Sequence, residues 1–474
     1  MPTLAAADRE FFAALGDVVF LNPFSERRAQ LIVKLAPGAK LADREALARV
    51  VAPRLAPLIR ELERLSAEDR LLLEPALLYV SYHRCVPQLD ALIERQAKGG
   101  ASLPVPFAEQ AIADMVQHGF APERAERLFA FFFQLRRAFY FIERSLAGEC
   151  ESMRRLREAL WNNVFTHDMR AYEAALWHRM EDFSTLLLGE TGTGKGQAAA
   201  AIGRSAFIPY LPGERRFAAN FAESFMAINL SQFPETLIES ELFGHRKGAF
   251  TGAIEHYQGV FERCSAHGAL FLDEIGEVSI PVQIKLLQVL QERSFTPLGG
   301  HEKKRFSGRV IAATNRALGS LRGDGRFRDD FYYRLCSDVI EVPTLRQRIA
   351  ESPAELQLLV QLIAGRIARI EDHTSILEKL PRGYDWPGNV RELEQAVRRI
   401  VMTGRYAPAS VHAAPAEEAL LFARLRAGEL TAAELLGRYS AMLYRRLGTY
   451  AEVAKRTGLD PRTSRKYVEA ARSG

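Results

Sequence analysis

The sequence has few cysteines, no long apolar run and little imbalance of charge. Its 474 residues include 4 cysteines, which lie far apart and form no CxxC pair. This spacing predicts neither a zinc site nor a disulfide framework, so we interpret all four as buried thiols. They are Cys85, Cys150, Cys264 and Cys336.

The chain also lacks the features of membrane and exported proteins. No stretch approaches the roughly 18 uncharged apolar residues that a membrane span requires. The first residues, MPTLAAADREFF, lack the basic segment and apolar core of a signal peptide. We therefore expect a cytoplasmic protein without membrane association. The 63 Lys and Arg residues nearly balance 58 Asp and Glu residues, and a net charge of +5 permits nucleic-acid binding without being specific for it.

The length predicts about three domains, and the apolar pattern of residues 1–145 predicts an all-helical first one. Leu128, Phe132, Leu135, Phe139 and Ile142 recur at helical spacing. The loop signal KGGASLPVP divides this region into two helical parts. No receiver-domain pattern is present, so its role is left open between a ligand or partner sensor and a packing or oligomerisation scaffold.

The pattern changes at about residue 148. Short apolar runs, in STLLLGE, FMAINL, GALFLDE and GRVIAATN, then alternate with amphipathic helices, which is typical of a parallel α/β sheet. We predict an α/β domain at 148–345, a helical lid at 346–404, an Ala/Pro-rich linker at 405–429 and a small helical domain at 430–474.

A glycine-rich motif follows the first of these apolar runs and precedes a helix. The spacing GxxxxGK is that of a P-loop, in which backbone N–H groups surround phosphates and the lysine reaches the β- and γ-phosphate oxygens. The Ser or Thr that usually follows to hold Mg²⁺ is replaced by Gly196. The predicted nucleotide-binding residues are Gly189, Glu190, Thr191, Gly192, Thr193, Gly194, Lys195 and Gly196.

A second acidic motif, GALFLDEIGE, complements the P-loop. Its apolar strand delivers Asp273 and Glu274 to the carboxyl end, where ligands collect in such sheets. We expect Asp273 to hold Mg²⁺ and Glu274 to polarise the attacking water, because adjacent strand residues point in different directions.

The segment ESELFGHRKGAFTGA narrows this interpretation. It resembles the sigma-54-dependent activators, or bacterial enhancer-binding proteins, an AAA+ family whose signature is GAFTGA. The resemblance implies a loop that projects from the ATPase ring and contacts sigma-54, mainly through Phe250 and Thr251. Two glycines beside an exposed aromatic residue suit a mobile tip. The hexapeptide consists of Gly248, Ala249, Phe250, Thr251, Gly252 and Ala253.

Further matches extend from about 148 to 402, and each implies a role. RVIAATNR resembles the sensor I strand that ends in Thr314 and Asn315. GRFRDDFYYRL resembles the segment whose arginine fingers act on the neighbouring subunit's ATP, and WPGNVRELEQAV resembles the sensor II helix. Asn229 aligns with the asparagine that restrains the catalytic glutamate. The arginines implied are Arg328 and Arg334 as fingers and Arg391 over the phosphates.

The sequence also departs from the family pattern. Gly196 stands where the family usually has an acidic residue, and the following helix is alanine-rich. The connection PYLPGERRFAANFAESF is longer than usual, an insertion around THDMRAYEAALWHRM precedes the P-loop strand, and VPTLRQRIAESPAEL replaces the usual proline-rich continuation. Hydrolysis is expected, but its rate is not fixed by the sequence.

The C-terminal segment GTYAEVAKRTGLDPRTSRKYVEAA predicts a helix-turn-helix. Thr449 caps the first helix, Gly458 ends it, and Asp460 with Pro461 starts the second. The segment resembles the family's Fis-type tail, and a basic helical hairpin is the alternative. The predicted DNA-binding residues at the start of the second helix are Arg462, Thr463, Ser464, Arg465 and Lys466.

Together these features predict a multidomain protein: an N-terminal all-α region, a central AAA+ α/β P-loop domain with a helical lid, and a C-terminal helix-turn-helix. The implied function is ATP- and Mg²⁺-dependent activation of sigma-54 RNA polymerase from double-stranded upstream DNA, by a homo-oligomer expected to be a hexamer. Two alternatives stay open, namely a DNA-binding, nucleotide-sensing regulator with little ATP turnover and an AAA+ remodeller of another protein target.

Overall fold

The computed structural model of the protein describes residues 3–38, 46–317, 319, 325, 327–368, 373–408, 424–425 and 428–473. It contains two compact units, residues 1–405 and 406–474. Most of the predicted linker 405–429 lies outside the described residues. In the part of the chain that the structure describes, no helix is long and apolar enough to cross a membrane.

The described part of residues 1–145 is helical, as the apolar spacing predicts. Ser25 and Ser66 cap two of the helices by accepting hydrogen bonds from Arg28 N and Asp69 N. The predicted loop at 98–106 separates the fourth helix from the fifth. The helices are α1 (Ala6–Val19), α2 (Glu26–Leu35), α3 (Ala46–Ile59), α4 (Ala67–Gln96), α5 (Ala108–Gln117) and α6 (Pro122–Ser145).

The central region contains a five-stranded parallel sheet. The four predicted apolar runs all form strands of this sheet, and a fifth strand, not predicted, is added at one edge. The strands of the described residues, five of which form this sheet, are β1 (Thr185–Leu188), β2 (Tyr210–Leu211), β3 (Arg216–Phe217), β4 (Phe225–Asn229), β5 (Ala269–Asp273), β6 (Ser294–Phe295), β7 (Lys304–Arg305), β8 (Arg309–Thr314) and β9 (Asp338–Glu341). The sheet order is β4-β5-β8-β1-β9.

Helices surround this sheet and continue beyond it. They are α7 (Glu151–Phe165), α8 (Met169–Ala171), α9 (Lys195–Gly203), α10 (Glu235–Phe243), α11 (Val260–Arg263), α12 (Ile280–Glu292) and α13 (Asp329–Leu335). The lid that follows consists of α14 (Leu345–Glu351), α15 (Ala354–Ala368), α16 (Thr374–Leu377) and α17 (Asn389–Thr403).

The two faces of the sheet belong to two different cores, because successive strand residues point to opposite faces. Leu186, Leu270 and Val310 pack with α10, α12 and α13. Leu187 and Ile311 pack instead with α9 and with the N-terminal helices, in one continuous apolar cluster. The N-terminal region therefore completes the core on one side of the sheet.

The alanine-rich character of α9 follows from this position. Ala198 and Ala201 are buried in the cluster shared by the sheet and the N-terminal helices. A side chain at Gly203 would bring its Cβ within 2.4 Å of the Phe225 ring. Small residues therefore let α9 pack closely on both sides.

The long connection 209–225 packs against the N-terminal loop 98–106. Asn220 donates through Nδ2 to the carbonyls of Gln96 and Gly100, at 3.1 and 2.9 Å. Val105 N donates to Arg215 O at 2.8 Å. Two segments that the sequence identifies as a loop and an extended connection are thus partners in the fold.

The C-terminal unit contains α18 (Ala432–Leu447), α19 (Tyr450–Thr457) and α20 (Pro461–Ser473). A capping box of Thr431 and Glu434 starts α18. The three helices pack around the buried side chains of Leu443, Val453 and Val468.

Candidate functional site

The P-loop joins the end of β1 to the start of α9. Gly192 and Gly194 have φ angles of +82° and +108°, which L side chains rarely adopt. A Cβ on Gly192 would also lie 2.2 Å from Gly388 O in the lid. The loop conformation therefore requires glycine, and it places backbone N–H groups before a helix N-terminus, an arrangement suited to phosphate.

Lys195 is nearly buried at the start of α9, with 7% of its surface exposed. Its Nζ donates to Gly189 O at 2.8 Å and to Glu190 O at 3.1 Å. Burial lowers the pKa of Lys195, and the nearby Glu274 and Asp273 carboxylates oppose that shift. The ammonium is therefore held within the loop, where phosphate oxygens could replace the two carbonyls as its partners.

Gly196 leaves open space beside the lysine. A Cβ at this position would meet only a carbon of Phe271, at 3.9 Å, which is an ordinary contact. The site therefore has room for the hydroxyl or carboxylate side chain that Gly196 lacks.

Asp273 and Glu274 lie at the carboxyl end of β5, as predicted. Glu274 has a φ of +56°, a left-handed conformation that is uncommon for a residue other than glycine, and its N–H donates to Asp273 Oδ1 at 3.0 Å. Burial and the neighbouring Asp273 charge raise the pKa of Glu274. The turn separates two adjacent carboxyl groups, so they can take different roles.

The acidic pair fits Mg²⁺ bound mainly by nucleotide. In the described residues no group of three or more His, Cys, Asp or Glu side chains could hold a metal ion. Mg²⁺ commonly uses one or two carboxylates with phosphate oxygens and water. Asp273 would supply such a carboxylate, and the ion would neutralise phosphate charge when bound.

Two asparagines lie at the same edge of the sheet. Asn229 is the register partner of Asp273 on the adjacent strand, and its Oδ1 accepts from Ser231 N and Oγ at 3.0 and 2.7 Å. Within the described chain no hydrogen bond joins it to Glu274, so its restraining role stays a prediction. Asn315 donates to Thr191 Oγ1 at 3.1 Å, and its backbone bonds the Glu274 carboxyl.

The lid contacts the P-loop through residues that the sequence reading missed. Asn389 is fully buried and donates through Nδ2 to Glu190 Oε2 and Thr191 O, both at 3.1 Å. Arg346 pairs with the Glu190 carboxylate through both terminal nitrogens, and this pairing lowers the pKa of Glu190. The GN that precedes the predicted sensor II helix was the available signal, because an Asn at a helix start often has a backbone role.

Arg391 lies two residues after Asn389 on the same lid helix. Its Cβ would be 2.9 Å from a Cβ on Gly192, and its charge contributes to the lowered pKa of Lys195. The structure therefore brings the predicted sensor II arginine to the P-loop, while its contact with phosphate stays a prediction.

The two predicted finger arginines lie on one short segment, and neither is engaged with the P-loop of its own chain. Arg328 is exposed and pairs with Asp330, with Nη2 2.7 Å from Oδ2. Arg334 donates through Nε and Nη2 to Leu290 O, at 2.9 and 2.7 Å. Arg328 could reach a neighbouring subunit from this conformation, whereas Arg334 would first have to leave Leu290.

The GAFTGA hexapeptide forms the tip of a compact loop. Gly248 N donates to Ala253 O at 2.8 Å, and both Gly248 and Gly252 have positive φ with open space around them. Ala253 is buried at the base, and the Phe250 ring contacts His245 at 5.0 Å between centroids. Phe250 and Thr251 are exposed, so the loop presents both side chains to solvent.

The C-terminal helices start and end as predicted. Thr449 accepts from Glu452 N, and Asp460 Oδ1 accepts from Arg462 N at 2.8 Å. Gly458 lies between α19 and α20 with a φ of +71°. Arg462 and Lys466 are exposed, while Arg465 pairs with Glu469 at 2.7 Å. These basic groups remain predicted DNA contacts.

The prediction for Ser464 is wrong. Its side chain is fully buried, because it lies one helical turn before Val468, which belongs to the core of the unit. The Thr463 hydroxyl is also less available to DNA, because it donates a hydrogen bond to the Asp460 carboxylate. The accessible basic surface of α20 is therefore narrower than the five consecutive residues predicted.

Comparison with known proteins supports the family resemblance of the central region. Residues 166–341 match the family described as the Sigma-54 interaction domain. The chain is 40% identical over 265 residues to the Nif-specific regulatory protein of Azotobacter vinelandii, covering 55% of this chain and 44% of that protein. It is 42% identical over 220 residues to the DNA-binding transcriptional regulator NtrC of Azospirillum brasilense, covering 46% and 43%.

These matches span less than half the length of either relative. Among solved structures, NtrX from Brucella abortus in complex with ATP aligns over 77% of this chain and 80% of that chain, with 20% identity and a TM-score of 0.42.

Proposed function

Since residues 166–341 belong to the Sigma-54 interaction domain family, we propose that this protein is an ATP-dependent activator of sigma-54 RNA polymerase. It would bind double-stranded upstream DNA through its C-terminal unit and remodel the closed promoter complex through the GAFTGA loop. Its place of action would be the cytoplasm, where the polymerase meets DNA.

The observation that carries this proposal is the exposed GAFTGA tip on the domain that also holds the P-loop. Phe250 and Thr251 face solvent at the end of a loop closed by the Gly248–Ala253 hydrogen bond. Glycines at both ends allow the tip to change conformation. A partner-contacting loop and a nucleotide site within one domain suit an ATP-driven remodeller.

The proposed chemistry follows from the arrangement at the sheet edge. The P-loop amides and Lys195 bind the phosphates, and Asp273 supplies a carboxylate to Mg²⁺. Glu274 orients and polarises the attacking water. Asn315 fixes the position of the Glu274 carboxyl group through a backbone hydrogen bond. Arg391 and the lid complete the phosphate site.

A ring is part of the proposal because the arginines of α13 and its N-cap are not engaged at their own chain's P-loop. Arg328 is exposed, and a guanidinium reaching a neighbour's γ-phosphate would stabilise transition-state charge. We propose a homo-oligomer, with a hexamer as the expected form.

The loop assignment is tested with Thr251→Ala. This variant should keep ATP hydrolysis within about two-fold of the original protein and lose open-complex formation with sigma-54 polymerase, measured by permanganate footprinting. Glu255→Ala, a nearby exposed residue outside the hexapeptide, is the control and should retain both activities. Equal promoter opening by Thr251→Ala and the original protein would remove sigma-54 polymerase as the partner.

The enzymatic assignment is tested with Lys195→Ala and Glu274→Gln. The first should abolish ATP binding, and the second should keep binding while lowering turnover by about 10²-fold or more, because it removes water activation. If the unaltered protein binds nucleotide without hydrolysing it, the alternative of a nucleotide-sensing regulator would be favoured instead. The observation behind that alternative is Gly196, which replaces the Ser or Thr that usually holds Mg²⁺.

A further inference from the structure

The N-terminal helices line a cavity of about 1170 Å³ that is open to solvent on one side. It lies between α1, α2, α3, α4 and α6, and small-molecule sites commonly measure roughly 300–1,000 Å³. This volume is therefore large enough for a ligand of several rings. Apolar side chains make up most of its wall, and several of them are aromatic, including Phe24, Phe131, Phe132, Phe139 and Trp161.

One cation on this wall has no carboxylate partner among the described residues. Arg28 donates through Nε to Val18 O at 3.3 Å, and burial lowers its pKa. Arg136 on the same wall differs, because Asp90 pairs with it at 2.5 and 2.6 Å. Arg28 is partly buried. A partly desolvated charge without a counter-ion is costly, so an anion beside Arg28 would be stabilised.

Two tyrosines near Arg28 supply neutral hydrogen-bonding groups. Tyr79 and Tyr82 both line the cavity, and burial raises the pKa of Tyr79 to about 12 and that of Tyr82 as well. Both hydroxyls therefore stay protonated at neutral pH and can donate to an anionic oxygen. The wall thus combines a mainly apolar body with a small number of polar groups, which is the usual composition of a ligand site. Besides Arg28, Tyr79 and Tyr82, the polar groups include the carboxylates of Glu143 and Glu173.

The helix α6 has this cavity on one face and the P-loop helix on the other. Phe131, Phe132 and Leu135 line the cavity. From the opposite face, Arg137 donates to the carbonyls of Arg204 and Ala206, both at 2.7 Å.

Gln134 adds a third bond at the same place, from Nε2 to Ser205 O at 3.0 Å. These three carbonyls lie directly after Gly203, the last residue of α9. A shift of α6 would therefore displace the C-terminal end of the helix whose N-terminus binds phosphate.

We propose that this cavity binds a small organic anion with an aromatic body, that Arg28 pairs with its anionic group, and that occupancy alters nucleotide affinity through α6. The proposed binding site is argued from the cavity and its wall, and it does not depend on the proposed function. The coupling rests on the proposed nucleotide site and gives the N-terminal region a ligand-sensing role.

The binding site is tested with two fluorescent probes that share one aromatic body. The anionic probe is 1-anilinonaphthalene-8-sulfonate, and the neutral one is N-phenyl-1-naphthylamine. Both should bind the full chain saturably with one site per protomer. Arg28→Met should weaken the sulfonate at least ten-fold and leave the affinity for the neutral probe within about two-fold, which would also show that the cavity is intact.

Arg27→Met is the matched control, because Arg27 is the neighbouring arginine of α2 and is exposed. It should change neither affinity. A cavity-filling variant, Ala29→Trp, should weaken both probes, since Ala29 lines the same wall. Absence of saturable sulfonate binding, or equal sulfonate affinity in Arg28→Met and the original protein, would overturn the binding site.

The coupling is tested by equilibrium linkage. Saturating anilinonaphthalene sulfonate should change the affinity for a fluorescent ADP analogue at least about five-fold, and saturating ADP should change the sulfonate affinity by the same factor. Arg137→Met should keep sulfonate binding and lose this mutual effect, while Arg137→Lys should restore part of it. Identical ADP affinity with and without the sulfonate would overturn the coupling.

Failure of the proposed function gives a different result. Lys195→Ala should lose ADP binding and retain the sulfonate site unchanged. An unaltered protein that binds ADP but neither hydrolyses ATP nor opens promoters would remove the proposed activity, and both equilibrium results above would still be measurable.

Discussion

The N-terminal and C-terminal helices differ in how they relate to a core. Buried N-terminal residues such as Leu89 and Phe133 belong to the same apolar cluster as Leu187 and Ile311 of the central sheet. The C-terminal unit, residues 406–474, has its own small core of Leu443, Val453 and Val468. Two regions that are both predicted to be helical thus differ in structure: the first shares the core of the central sheet, and the second has a core of its own.

The difference teaches that helical periodicity alone does not define a domain. The predicted boundary near 145–148 falls inside one compact unit, where α6 packs along the P-loop helix. The N-terminal region therefore acts structurally as a layer of the P-loop region, whereas the C-terminal module has the independent core expected of a separable domain.

Deletion of residues 1–145 should have the largest effect. It would expose Phe217 and Phe221, whose rings pack on Phe133 at 4.1 and 6.3 Å between centroids, together with one whole face of the sheet. We expect the fragment 148–474 to lose its cooperative thermal transition and to aggregate, as measured by circular dichroism and gel filtration. A soluble fragment with full ATP binding would break the comparison and restore a domain boundary at 145–148.

The buried ion pair that joins the lid to α7 should have the next largest effect. Arg348 and Glu355 are 4% and 2% exposed and 2.7 Å apart. Glu355 also accepts hydrogen bonds from the backbone N–H groups of Glu149 and Cys150, at 2.5 and 2.9 Å. Arg348→Met leaves that carboxylate buried without its cation and should lower the free energy of unfolding by about 3–5 kcal/mol.

The control for this variant is Arg366→Met. Arg366 pairs with Glu394 at 2.9 Å, but its side chain is 61% exposed, so its loss should cost less than about 1 kcal/mol. If urea unfolding gave similar losses of free energy for the two variants, the buried Arg348–Glu355 pair would stabilise the protein no more than an exposed pair does.

The same pair predicts a pH dependence. Burial tends to raise the pKa of Glu355, but hydrogen bonds from Glu149 N and Arg348 outweigh it and hold the pKa below its ordinary value. The resulting stability is present above the unfolded pKa of about 4.3 and is lost as pH falls through the folded pKa. Arg348→Met should move this acid loss to higher pH.

Much of the central site could be predicted because its signals are local. The P-loop, the Asp273–Glu274 turn and the caps at Thr449 and Asp460 each depend on a few adjacent residues whose backbone roles are specific. The family resemblance carried by GAFTGA is confirmed by the match over residues 166–341. In contrast, the strand β9 is short, and two of its four residues, Asp338 and Glu341, are charged, so its pattern is weak.

The rest depends on contacts distant in sequence. The Asn389–Glu190 bond joins residues 199 positions apart, and the Arg137 bonds to the segment after α9 cross the predicted domain boundary. The GN motif marks Asn389 locally, but nothing in the nearby sequence identifies Glu190 as its partner, and the Arg137 bonds have no local signature. The error at Ser464 is different, because its one-turn spacing from Val468 was visible and indicates a shared buried face.

Deletion of residues 430–474 sharpens the comparison from the other side. The removed helices bury their apolar residues against one another, so ATP turnover should stay within about two-fold while specific upstream DNA binding is lost. Footprinting and a steady-state ATPase assay on the same preparation measure both. Retained footprint protection would place the DNA reader elsewhere in the chain, and lost ATPase activity would show that the module is not separable.

The smallest expected effect is that of a single exposed lysine on α20. Lys466 is exposed, and if it contacts phosphate, Lys466→Ala should weaken binding to all DNA sequences alike and reduce the slope of log affinity against log salt by about one unit.

Arg465 should behave differently, because it pairs with Glu469 at 2.7 Å. If it reads a base, Arg465→Ala should cost roughly 1–3 kcal/mol of binding free energy at one position of the DNA site. Lys34→Ala, which removes an exposed lysine of α2, is the charge-matched control. Fluorescence anisotropy at several salt concentrations separates these cases, and a slope for Lys466→Ala equal to that of the control would exclude Lys466 from the phosphate contacts.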